Sequence, residues 1–443
     1  MSVAEFSDAG RLDDRRSSRR APVRSLVAGA LGNVLEWYDF AAYGFLAAIF
    51  ARNFFPGSDA FVGLISAFGI FAASFLMRPI GGVVFGHIGD RLGRRQALFV
   101  SAFMMTGSTV TIGLLPTYDS IGALAPVLLL LLRLLQGLSI GGEYTTSAIF
   151  LAESAAPRRR GLIASFAGCG ATGGTLLGSM VGAVTAMAMS ADDLIAWGWR
   201  IPFLLGILLG GFTLYLRGSA AEQEAAEPAR PHAPAAKHPK GELPLVNAFR
   251  TDGPGMLRAA ALNLTLGGGF YLLFVYLTTY MQQVDGLAAR LSLQINTISM
   301  IVVLVLAPAF AALSDRVGRK PVVCAGLIGL VLFSWPLFRL LDSGDAEWVF
   351  LGQLGFAVLI ACYAGPIPCV LSEMFRPATR CTAFSLSYNF AIGLAGGTAP
   401  MVAVYLVNRE QYDMGPAVYL IVIAAISLIA AVTMKERRGV ALD

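Results

Sequence analysis

Apolar runs of roughly 20 residues recur from one end of the chain to the other, broken by short charged or Gly/Pro-bearing turns, and a helix of that length crosses about 30 Å of hydrocarbon. The runs fall near 25–50, 61–86, 96–115, 122–149, 161–189 and 200–217, then 255–281, 292–313, 321–341, 348–372, 379–407 and 415–434. The pattern predicts an all-α polytopic membrane protein with twelve transmembrane helices. Two of the polar turns are copies of each other. GHIGDRLGRR (Gly86 to Arg95) is echoed half a chain later by AALSDRVGRK (Ala311 to Lys320), and Glu153, Pro157 and Arg160 recur as Glu373, Pro377 and Arg380 with the same internal spacing. A duplicated many-helix unit predicts two six-helix bundles, the layout of a secondary transporter.

These repeats divide the chain into a tail (1–24), a first bundle (25–217), a linker (218–254), a second bundle (255–434) and a short tail (435–443). Residues 1–24 are polar and Arg-rich. The apolar run that follows contains Glu36 and Asp39 and no small-residue cleavage site, so it reads as a membrane helix behind a disordered cytoplasmic tail, not a cleaved signal peptide. The linker is rich in Ala, Pro, Glu and His, a composition that does not offset the entropy of folding. Its His232 and His238 lack a metal-ligand pattern, and no metal or cofactor is expected.

Composition excludes a long soluble domain, with 56% hydrophobic and 14% charged residues. The net charge of +5 does not point to nucleic acid, because topology places the basic residues. With the N-terminus inside, all but seven of the 33 Arg and Lys lie in the tails or the loops of one side. The exceptions are Arg52, Arg200, Arg290, Arg339 and Arg409 at the opposite ends and Arg78 and Arg133 within spans. The positive-inside rule then predicts an inner-membrane protein with both termini cytoplasmic. The five cysteines (Cys169, Cys324, Cys362, Cys369 and Cys381) form no CxxC pair and read as packing residues. Gly170, Gly174, Gly178 and Gly182 clear one face of the fifth span for close helix approach.

The informative residues are charges in the middle of apolar runs. Glu36 and Asp39 lie near mid-bilayer in the first span, Arg133 equally deep in the fourth, and Arg78 near the inner third of the second. A charge at mid-bilayer costs at least about 2.5 to 3.5 kcal/mol, so it persists where it meets a partner, a cavity or a pathway. At 100° per residue, Asn33, Glu36, Asp39 and Tyr43 share one side of the first helix, and Arg133, Gln136, Glu143 and Ser147 share an arc of the fourth. Such stripes face each other across an ion-pair network that fixes helix register, or line a wet cavity where a carboxylate moving between solvated and paired states loads and releases a proton. Glu36, Asp39, Arg133 and Glu143 are the proton-coupling candidates. Arg78 and Arg133 can each offer a bidentate fork to a carboxylate. The second half offers only polar and aromatic candidates, Asn263, Tyr271, Tyr276, Tyr363, Tyr388 and Asn389. The substrate-contact set is thus Arg78, Arg133, Asn33, Tyr43, Gln136, Tyr271, Tyr363 and Asn389. No nucleophile–base pair, phosphate loop or metal cluster supports a membrane-embedded enzyme, and no output domain supports a sensor.

Gly86, Asp90, Arg91, Gly93, Arg94 and Arg95 match the signature loop of the major facilitator superfamily, and Arg133, Gly137 and Gly141 resemble its fourth-helix RxxxGxxxG motif. Within it the chain resembles the metabolite:proton symporter group, through GNVLEWYDFAAYGF (Gly32 to Phe45), FLMRPIGGVVFGHIGDRLGRR (Phe75 to Arg95), RLLQGLSIGGEY (Arg133 to Tyr144) and WGWRIPF (Trp197 to Phe203). The resemblance implies proton-coupled symport of a small metabolite by alternating access, in a protein expected to be monomeric. Sugar porters carry a PESPR-like motif where this chain has LRGSAAEQEAAE, and the antiporters' fifth-helix glycine motif contains a proline that Cys169 to Gly182 lacks. SIGGEYTTS (Ser139 to Ser147) and TTYMQ (Thr278 to Gln282) look most like alpha-ketoglutarate permeases, so a di- or tricarboxylate is the expected substrate, with a zwitterion (proline or betaine) or a cyclic acid such as shikimate as the alternative. The zwitterion reading ranks lower because the proline/betaine members carry a C-terminal coiled coil and this chain shows no heptads after its last span. The superfamily likeness also implies a cytoplasmic gate, with Asp90 against the start of the eleventh helix near Arg380, Arg91, Arg94 and Arg95 as topology markers or partners of Glu153, and a weaker role for Asp315, whose loop has Ala311 in place of the leading glycine.

Overall fold

The computed structural model describes residues 34–57, 59–92, 94–226, 244–408, 414–440 and 442, and among them the regular structure is helical throughout. Among the described residues nine helices are long and apolar enough to cross a membrane: α2 (Ala60–Phe85), α4 (Leu124–Glu153), α5 (Pro157–Ala188), α7 (Val246–Gln283), α8 (Ala289–Val317), α9 (Arg319–Leu341), α10 (Ala346–Met374), α11 (Arg380–Asn408) and α12 (Gly415–Thr433). Two more crossings are bent pairs, α1 (Val34–Phe45 and Ala47–Phe54, 63°) and α6 (Ala191–Gly198 and Arg200–Tyr215, 51°). The remaining one, α3, is a single helix over Arg94–Leu114.

Helix reaches into the expected linker from both sides. The helix that contains the second limb of α6 runs on to Ala226, and the helix leading into α7 begins at Pro244. The stretch GSAAEQEAA is made largely of strong helix formers that extend α6 beyond the apolar run, and Pro244 sits at the first helical position, where its missing N–H costs nothing. His232 and His238 lie outside the described residues.

Glycines set the helix crossings that matter for the site. A Cβ on Gly137 would lie 1.9 Å from the Ser74 carbonyl oxygen, and one on Gly141 2.0 Å from the Gly82 nitrogen, so α2 and α4 cross backbone to backbone. The RxxxGxxxG spacing therefore does two things: it permits this crossing and it fixes Arg133 one turn from it. On α5, Gly174 and Gly178 meet the α1 backbone at Val34 and Tyr38, whereas the face at Gly182 is open.

The two halves pack through α5 along α8 and α2 along α11. Two π-helical stretches interrupt α7, Thr265–Gly269 and Leu272–Tyr276, and one interrupts α11, Ile392–Gly396. Gly267 and Gly396 bring the first and last of these into contact. Inserted π turns are frequent at functional sites, and most residues of these three are buried.

Candidate functional site

Four charges sit buried in the first half, as two pairs. Arg78 Nη2 donates to Glu36 Oε1 at 2.6 Å, and Arg133 Nη1 donates to Asp39 Oδ2 at 2.7 Å; Asp39 and Arg133 are fully buried. Helical phase placed Glu36 and Asp39 on one stripe and Arg133 on another, and the structure adds Arg78 of α2 as the partner of Glu36. Gln136 Oε1 accepts from Arg133 at 2.8 Å while its Nε2 donates to Thr109 at 2.9 Å, so Gln136 orients the guanidinium and both ends of its amide are engaged. The Arg133 guanidinium also lies 4.3 Å from the Tyr43 ring centroid and 4.6 Å from that of Phe40, a cation–π setting that partly replaces lost hydration. Asp39 Oδ1, Arg133 Nε and Nη2, and Arg78 Nε have no hydrogen-bond partner among the described residues. Buried polar atoms are rarely left so, and these mark where a proton, water or substrate would bond.

Beside the charges is an aromatic layer contributed by both halves. Trp37 stacks on Tyr271 (6.0 Å, 13°), Tyr144 stacks on Tyr388 (4.6 Å, 15°), and Trp37 meets Tyr144 edge-on at 6.1 Å. Arg78 lies 5.8 Å from the Trp37 ring. Trp37 Nε1 and the Tyr271 hydroxyl are buried with no partner among the described residues. A Cβ on Gly44 would come within 2.3 Å of Val275, and that close approach brings α1 against the π-helical part of α7.

Several substrate candidates are used structurally. The Tyr43 hydroxyl donates to the Ala67 carbonyl at 2.9 Å, and the Tyr363 hydroxyl donates to that of Leu262, tying α10 to α7. Asn389 Nδ2 donates to the Gly141 carbonyl at 2.9 Å and so bridges the halves. Glu143 is half-buried and accepts from Ser101 Oγ at 3.3 Å, away from the Asp39 pair. Asn33 lies outside the described residues.

At the end carrying the repeated loops, the duplicated motif exchanges partners between halves. Arg160 pairs with Glu373 at 3.0 Å, and Arg380 pairs with Glu153, so each repeat's arginine takes the other repeat's glutamate. The Asp315 carboxylate accepts from the Gly161 and Leu162 amides, both at 2.9 Å, and from Arg319 at 2.6 Å. Asp315 thus caps the α5 N-terminus although Ala311 stands where the first loop has its leading glycine. The side chains of Asp90, Arg91, Arg94 and Arg95 lie outside the described residues. The segment after α12 also closes this end. Glu436 accepts from the Lys320 amide at 2.9 Å, Arg437 donates to the Glu373 carbonyl at 2.8 Å, and Val440 O accepts from Arg160 at 2.8 Å. Toward the opposite end Ser179 on α5 hydrogen-bonds Thr297 on α8 at 2.8 Å. The halves are therefore held together at both ends.

Sequence reasoning missed Trp37, Tyr144, Thr109, Glu373 and Arg319. The first two lie inside the quoted motif stretches, but nothing local marks an aromatic residue in an apolar run as a site residue. Glu373 was visible as the repeat of Glu153.

The family model described as "Sugar (and other) transporter" matches residues 25–222 and 256–443. The chain is similar to the proline/betaine transporter of Escherichia coli (strain K12), 35% identical over 426 residues, covering 93% of this chain and 83% of that protein. It is also similar to the glycine betaine/proline/ectoine/pipecolic acid transporter OusA of Dickeya dadantii (strain 3937), 36% identical with the same coverage. Among solved structures, the proton:xylose symporter XylE bound to 6-bromo-6-deoxy-D-glucose superposes with a TM-score of 0.73 at 18% identity, covering 95% of this chain and 97% of that one. The all-helical fold is thus the major facilitator fold. These relatives correct the ranking of substrates: likeness over 426 residues outweighs the short runs SIGGEYTTS and TTYMQ that suggested alpha-ketoglutarate permeases, and it favours the zwitterion alternative.

Proposed function

Because the chain belongs to the sugar (and other) transporter family, whose members are transporters and not enzymes, we propose that it is a proton-coupled importer of a small zwitterion of the proline or betaine class. It works by alternating access between two six-helix bundles in the cytoplasmic membrane, as a monomer with both termini inside. The end closed by Glu153, Arg160, Glu373 and Arg380 is then the cytoplasmic gate.

The observation that carries the substrate class is the aromatic layer beside a neutral set of charges. A quaternary or secondary ammonium has few or no protons to donate and is held by ring faces, which Trp37, Tyr144, Tyr271 and Tyr388 supply. Its carboxylate needs a guanidinium, and Arg78 lies next to Trp37. Glu36, Asp39, Arg78 and Arg133 sum to zero, so a zwitterion enters without leaving net charge in a low-dielectric site, whereas a dicarboxylate brings two uncompensated charges. Protonation of Asp39 or Glu36 frees its arginine and couples the proton to the substrate cycle.

Labelled glycine betaine uptake in cells expressing the protein tests this reading. Unlabelled proline is expected to compete and alpha-ketoglutarate is not, and Trp37→Leu should raise the apparent KM for betaine about tenfold, in line with about 1 to 2 kcal/mol for a desolvated cation–π contact. Uptake of labelled alpha-ketoglutarate in place of betaine would overturn it.

A further inference from the structure

A cavity of about 20 Å³ lies inside the first half, between the buried Glu36 of α1 and the half-buried Glu143 of α4. Ser101 and Met105 of α3, Ser139 of α4 and Thr213 of α6 complete its polar and sulfur lining. A water needs roughly 10 to 15 Å³ and two to four polar partners, so the space fits one. Ser101 Oγ already donates to Glu143 Oε1 at 3.3 Å, while Glu36 Oε1 holds Arg78 on the other side at 2.6 Å. Ser139 and Thr213 spend their hydrogens on backbone carbonyls of their own helices, at 2.7 and 2.9 Å, which leaves Ser101 as the hydroxyl facing the second carboxylate.

From this placement we infer that protons leave the coupling site through the first half itself, from Glu36 by way of one water and Ser101 to Glu143. The inference rests on the proton-coupled reading above. Protonated Glu36 gives its proton to the water oxygen, the water passes one of its own to Ser101 Oγ, and the Ser101 hydroxyl gives its original proton to Glu143, to which it already donates. The water is unchanged, Glu36 is left as a carboxylate beside Arg78, and Glu143 releases the proton to solvent. Every residue lining the cavity precedes Arg217, and none belongs to the Glu153, Arg160, Asp315, Glu373 and Arg380 network. Proton release is therefore separate from the substrate path between the halves. Coupling survives because loading of Glu36 from the opposite side uses the substrate path alone.

Thr and Val have the same shape and differ by a hydroxyl, so Ser101→Thr and Ser101→Val separate relay from packing. In proteoliposomes with an imposed proton gradient, Ser101→Val should slow net glycine betaine uptake at least tenfold and Ser101→Thr should stay within about twofold of the parent. Exchange of labelled for unlabelled betaine at equal pH, which needs no net proton release, should be alike in all three. Equal net uptake by both variants and the parent, or loss of exchange together with uptake in Ser101→Val, would overturn the route. Parent uptake that ignores the proton gradient would instead remove the coupled reading, and the route with it.

Discussion

Asp39→Asn is expected to abolish accumulation of substrate against its gradient, leaving uptake that stops when inside and outside concentrations are equal. Asp39 is fully buried, and its one bonded oxygen takes Arg133 at 2.7 Å. Asn keeps the shape but cannot balance the guanidinium, and it removes the titratable carboxylate that completes the coupling site beside Glu36. Removing one member of a buried pair costs about 3 to 5 kcal/mol, more than a hundredfold in the populations that bury Arg133 unpaired. Asp39→Glu restores the charge in a longer side chain and should recover part of the accumulation. The comparison is made at matched amounts of membrane-inserted protein. An Asn variant that concentrates betaine tenfold under a proton gradient would take Asp39 out of the coupling step.

The second large effect belongs to the gate. Asp315 gathers two α5 amides across the boundary between the halves and Arg319 within its own half, and Glu373 gathers Arg160 from across the boundary and Arg319. A carboxylate at a helix N-terminus contributes up to about 2 kcal/mol when partly buried, roughly thirtyfold in a two-state equilibrium, and that contribution is lost when the halves part. Asp315→Asn should therefore shift the resting population toward opening at this end. Cys369 is a built-in reporter: it is buried against Ala152 of α4 and Ala164 of α5, with Leu442 packed over the cluster. In a background lacking the other four cysteines, its alkylation should speed up at least tenfold in Asp315→Asn and in Glu373→Gln. Unchanged rates in both would show that these bonds set packing and not gating.

Much of this architecture was legible because the bilayer restricts what a sequence can mean. Apolar run length fixed the crossings, and the cost of buried charge singled out Glu36, Asp39, Arg78 and Arg133 before any contact was known. Their pairing was not legible, since it depends on how α2 and α4 cross at Gly82, Gly137 and Gly141 as well as on helical phase. The repeat of Glu153 and Arg160 at Glu373 and Arg380 announced a duplication, but the exchange of partners between repeats follows from how the halves face each other. The π turns of α7 and α11 leave no local signal, because an inserted residue changes neither composition nor hydropathy. The order of the two substrate readings changed for a related reason. Short motif runs are a small part of the chain beside a likeness over 426 residues, and a ring such as Trp37 in an apolar run carries no local mark that separates a site residue from core.

The most direct test of proton-coupled zwitterion transport is the charge moved per substrate. Proteoliposomes on a solid-supported membrane, at equal pH on both sides, are given a step of glycine betaine. A neutral substrate entering with a proton carries positive charge inward, so a transient inward current is expected for the parent, absent in Asp39→Asn and absent when alpha-ketoglutarate replaces betaine. Labelled betaine uptake without any current, or a current elicited by alpha-ketoglutarate alone, would contradict it.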